Sequence, residues 1–149
     1  MPGWAVVFVA LGLGAWCMAV GMYFEDRFER WLLRRTRGSA WRGAAVTLLL
    51  HLVLLVTAFV LIGIGLNVAR AADSRSTAGW VTVPGIALLG PFVLYFLPAQ
   101  FSGFRLHRDS LEQAGATRSE ARAITWTGAP FAFLETGIAI GVFFGTFLP

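Results

Sequence analysis

From Gly43 to Val68 the chain contains no Asp, Glu, Lys or Arg, and the single titratable side chain on the way is His51. The hydrocarbon core of a bilayer is about 30 Å thick and takes roughly 20 apolar residues of helix to cross. Three other stretches pass the same length test, at about residues 4 to 24, 80 to 101 and 126 to 148. Backbone N–H and C=O groups in hydrocarbon must be satisfied within the segment itself, and an α-helix does this. The expected fold is therefore an all-α integral membrane protein, a bundle of four transmembrane helices forming one polytopic domain. Composition agrees, with 57% hydrophobic and 13% charged residues, far from the balance of soluble domains.

The charged residues gather between the apolar runs. Residues 25–42 hold six arginines, 69–79 hold two and 102–125 hold four, and the chain has no lysine. Positive residues accumulate on the cytoplasmic side. The loops 25–42 and 102–125 are thus expected in the cytoplasm, with both termini on the non-cytoplasmic side of the cell (plasma) membrane. No basic residue precedes the first run, so a removable signal peptide is not expected. The net charge of +4 is accounted for by these topology signals, and nucleic acid is not an expected partner. A nucleic-acid footprint needs a clustered basic face.

From Phe24 on into residues 25–42, Phe24, Phe28, Trp31, Leu32 and Arg35 share one helical side. This pattern predicts a short basic amphipathic helix that bends off the first span onto the cytoplasmic membrane surface, with Gly38 and Ser39 as the following turn. Arg34, Arg35 and Arg37, with Arg105 and Arg108 of the other loop, are the candidate headgroup-facing residues, because guanidinium grips phosphate bidentately. Thr117 and Glu120 form a capping box, so the last helix is expected to start near Arg118 and run on through Pro130. Asp109 or Ser110 is expected to cap a short helix that stops at Gly115.

Inside the spans, small residues at four-residue spacing let helix backbones approach. Gly14 and Gly21 in the first span and Gly137, Gly141 and Gly145 in the last are the candidate packing glycines. Pro84, Pro91 and Pro98 stand seven apart in the third span. Pro91 is expected to kink that helix and to free a carbonyl that needs a donor.

Two polar residues stand out in mid-span. His51 lies eight residues beyond Gly43 and Glu135 nine beyond Trp126, which puts each roughly 12 to 14 Å deep at 1.5 Å per residue. A facing pair at one depth is either a proton-binding site or a hydrogen bond that locks two helices. Cys17 beside Met18, without a nearby His or second Cys, does not make a copper site, and no metal or cofactor is expected. Enzyme signatures are absent. The cluster Arg105, His107, Arg108, Asp109 and Glu112 leaves headgroup chemistry as a weaker alternative. The leading expectation is a non-enzymatic accessory or interaction subunit that contacts lipid, itself or another membrane protein. The competing one is an oligomeric channel or proton-coupled carrier built on Glu135 and His51.

Overall fold

The computed structural model describes residues 3–72, 75–101 and 105–147. Five α-helices follow one another: α1 Gly3–Thr36, α2 Ala40–Ala71, α3 Arg75–Phe101, α4 Arg105–Gln113 and α5 Arg118–Phe147. No strand occurs among the described residues. Helices α1, α2 and α5 are long and apolar enough to cross a membrane, whereas the described apolar part of α3, Trp80–Tyr95, is shorter.

Contacts along the helices fix their directions. On α2 and α5, Gly43 lies against Ile124 and His51 against Glu135, so these two run parallel. Ile62 meets Gly85 and Gly65 meets Val81, so α3 runs antiparallel to α2. Cys17 meets Gly90 and Phe28 meets Phe92, so α1 runs with α3. The four long helices therefore alternate in direction. The α1–α2 turn and α4 lie together at one end.

The buried residues of α2 are Gly43, Thr47, His51, Leu54, Leu55, Ala58, Ile62, Gly65 and Ala69. Their three- and four-residue spacing is one helical stripe, and it gathers the small and polar residues Thr47, His51, Ala58 and Gly65 on one side. Leucines and valines on the other sides, such as Leu49, Val53 and Val56, are exposed. In lipid this exposure costs nothing, and close packing rather than water exclusion holds helices together. Gly65 approaches the backbone carbonyl of Val81, and a Cβ at Gly85 would collide with Ile62. Leu54, Ala58 and Leu89 form a buried apolar cluster at the α2–α3 contact, with Ile138 of α5 against it.

The first loop differs from expectation. No separate surface helix exists among the described residues, because α1 continues unbroken through residues 25–36. At 1.5 Å per residue it is about 50 Å long, well beyond one hydrocarbon thickness. Part of the amphipathic side expected on the membrane packs on protein, while Phe24 and Arg35 stay exposed. Leu32 joins Leu111, Ala116, Ala121 and Ile124 in a buried cluster, flanked by Phe28, Trp31 and Leu33. Between Phe24 and Arg35 no glycine or proline interrupts the helix, so its hydrogen bonds carry on.

Other boundaries follow local chemistry. Arg37 and Gly38 have φ of 50° and 75°, a left-handed pair that reverses the chain before Ser39. Gly115, with φ of 105°, ends α4 in a Schellman arrangement: Ala116 N donates to Leu111 O at 2.9 Å and Gly115 N to Glu112 O at 3.1 Å. Asp109 and Ser110 sit inside α4 rather than capping it, since the helix already begins at Arg105. The expected polar connection 69–79 is mostly helical, with α2 reaching Ala71 and α3 starting at Arg75.

Candidate functional site

The parallel course of α2 and α5 brings together the two mid-span polar residues. His51 Nδ1 lies 2.7 Å from Glu135 Oε1, and both side chains are 0% exposed. One turn before Glu135, Phe131 stacks on the imidazole with ring centroids 5.2 Å apart and planes 14° from parallel. The pair is thus clamped on the ring face by an aromatic and at its edge by a carboxylate. Thr47, one turn from His51, and Thr125 are buried on the same two helices. Thr47 Oγ1, Thr125 Oγ1 and Glu135 Oε2 have no hydrogen-bond partner among the described residues. Thr47 and His51 on the buried stripe of α2, with Glu135 against His51, make a short polar column rather than a lone contact.

A second buried carboxylate ties the column's loop end together. Glu120 accepts from the Thr36 hydroxyl, from Gly38 N at 3.1 Å and from Thr117 N at 3.3 Å. The Thr117 hydroxyl in turn accepts from Glu120 N at 3.3 Å. This is the capping box read from the sequence, with an added grip on the α1–α2 turn. A third, Glu29, is also buried, accepting from the Tyr95 hydroxyl at 3.2 Å and the Ser110 hydroxyl at 3.0 Å. Glu29 lies off the side of Phe28, Trp31 and Leu32 singled out in the sequence. Its spacing to Leu32 and Thr36, three and seven residues on, was the available signal.

Pro91 does not interrupt α3. Lacking an N–H, it leaves the carbonyl of Ala87 without its helical donor, and the Trp16 indole N–H of α1 donates to that oxygen at 3.3 Å. Pro91, Pro84 and Gly21 line an open groove of about 650 Å³ between α1 and α3. The Pro98 side chain lies outside the described residues.

The candidate packing glycines do not make the close contacts of this chain. Among the described residues, a Cβ at Gly14, Gly21, Gly137, Gly141 or Gly145 would meet no atom within 4 Å. The close approaches occur at Gly43, Gly65, Gly85 and Gly90 instead. Four-residue spacing marks where a backbone offers room, not which side has a neighbour.

Among the basic residues, Arg34, Arg35 and Arg37 are exposed. Arg34 Nε donates to Arg30 O at 3.1 Å, and the Arg35 guanidinium sits 5.5 Å from the Trp31 ring centre. Arg108 pairs with Asp109 at 3.1 Å and with Glu112 at 3.3 Å. These acids and bases of α4 are directed at one another, whereas the side chains of Arg105 and His107 lie outside the described residues. Comparisons with known protein families, with curated proteins and with solved structures find no match to this chain.

Proposed function

We propose that the chain crosses the cell membrane four times, with both termini on the non-cytoplasmic side, and acts as a non-enzymatic accessory or interaction subunit through helix contacts. Alternating helix directions and the arginine-rich end formed by the α1–α2 turn and α4 support the topology. The observation that carries the function is the outward face of α5. Gly137, Gly141 and Gly145 are exposed and have open space where a Cβ would sit. Glycine in a helix is less stable than alanine by about 1 kcal/mol, and among the described residues no neighbour requires it at those positions. A second membrane helix approaching that stripe would require it. The partner is a second copy or a larger membrane protein.

The test is Gly141→Leu in membranes, read by cross-linking and by the mass of the detergent-extracted complex. The reading expects the partner or second copy to be lost while the monomer keeps its helix content. An unchanged complex refutes the α5 contact.

One observation favours a second reading, a proton-coupled carrier or channel. His51 and Glu135 touch in a buried column with Thr47, whose hydroxyl has no partner among the described residues. That reading requires a proton flux carried by the protein and abolished by Glu135→Gln.

A further inference from the structure

The groove between α1 and α3 differs from the α5 face in carrying a charged mouth. Its walls are apolar, with Trp16, Val20 and Phe24 on α1 and Leu88, Pro91 and Phe92 on α3. The polar atom that Pro91 exposes, the Ala87 carbonyl, is taken by Trp16. The volume of about 650 Å³ falls in the range of small-molecule sites. At the loop end the groove reaches Arg27, which also lines a recess of about 620 Å³ with Arg30, Arg34, Leu33 and Ala114. Arg27, Arg30 and Arg34 are spaced three and four apart, so they share one side of α1.

Those guanidiniums are available. Arg30 and Arg34 use Nε on the helix's own carbonyls, Asp26 O at 3.0 Å and Arg30 O at 3.1 Å. Their terminal nitrogens have no partner among the described residues. Arg27 rests 4.9 Å from the Tyr23 ring centre, a cation–π contact that leaves its N–H edges open. Glu25 lines the groove's mouth and Asp26 is the neighbouring exposed acid, so the three arginines exceed the two acids. The charged recess begins only three residues past Phe24, where the apolar run of α1 ends. That is about 5 Å along the helix, the level of lipid phosphates.

We propose that this groove binds one anionic phospholipid, with an acyl chain between α1 and α3 and the phosphate held by Arg27, Arg30 and Arg34. Charge complementarity selects the headgroup, since guanidinium matches phosphate oxygens bidentately. The apolar groove selects a lipid over a free phosphate. The proposal does not depend on whether α5 binds a partner.

The experiment uses the full chain in neutral detergent, with retained lipid counted by native mass spectrometry. Phosphatidylglycerol and phosphatidylcholine of equal chains are the probes, with inorganic phosphate as a competitor. The wild type is expected to keep one phosphatidylglycerol in preference to phosphatidylcholine. An arginine near the headgroup plane is worth about fivefold, so Arg30→Gln with Arg34→Gln together should cost more than about tenfold in phosphatidylglycerol retention and much less in phosphatidylcholine. Gly21→Leu fills the groove from a position with no atom within 4 Å of its Cβ, and it should lower retention of both lipids. Gly14→Leu has equal room and does not line the groove, so it should change neither. Equal retention of the two lipids, an unaffected Gly21→Leu, or displacement by inorganic phosphate would overturn the proposal. So would a particle of two chains that Gly21→Leu splits into one, because the groove would then hold a second copy. If Gly21→Leu fails to accumulate, the arginine pair decides the matter.

Discussion

At the scale of residues, the protein is held by a few polar contacts placed where neighbours are apolar. The His51–Glu135 contact was legible because it needed only the rise per residue of two parallel helices. Glu29 was not, because apolar neighbours on a helical wheel do not reveal a hydroxyl waiting on another helix, here Tyr95 and Ser110. Removing one partner of a buried pair strands the other, whereas removing both does not. Glu135→Leu and His51→Leu are each expected to destabilise, and the double variant to destabilise less than their sum. Interhelical hydrogen bonds in membranes give coupling energies of about 0.6 kcal/mol on average and about 1.7 at most, so the coupling should fall between those values in a denaturing-detergent titration. Strict additivity would mean that the contact holds nothing.

At the scale of elements, start and stop signals were readable wherever a single residue type decides the backbone. Thr117 and Glu120 open α5, and Gly115, at φ of 105°, closes α4. The end of α1 was misjudged because a charge pattern says where a helix meets water, not whether it bends. The side of Phe28 and Leu32 found a protein surface made by α4 and α5 instead of lipid. Helix contacts were equally hidden, since Gly65, Gly85 and Gly90 are spaced no more regularly than the glycines that meet no neighbour among the described residues. A Cβ at Gly90 would collide with Cys17 Sγ, yet it would sit an ordinary 3.4 Å from Cys17 Cβ. Gly90→Ala should therefore destabilise the α1–α3 contact by about 1–3 kcal/mol, the usual cost of overpacking. Cys17→Ala combined with it should restore most of the loss in thermal unfolding, and no restoration would place the strain elsewhere.

At the scale of the whole molecule, alternating helices join two ends of unlike character. One holds Glu29, Glu120, α4 and most of the arginines, and the other holds the short α2–α3 connection. Single cysteines introduced at Ser39 and at Ala72 in a Cys17→Ala background should report this with a membrane-impermeant maleimide applied to intact cells. Labelling at 72 alone is expected, with 39 reacting only after permeabilisation, and the reverse pattern would invert the topology. The central claim is that the His51–Glu135 contact joins two helices and carries no proton flux, and that the protein works through its outer faces. Proton flux in liposomes carrying the purified protein, measured across pH beside Glu135→Gln, tests it most directly. The account predicts the same background flux for both proteins, and a wild-type flux that Glu135→Gln abolishes would contradict it.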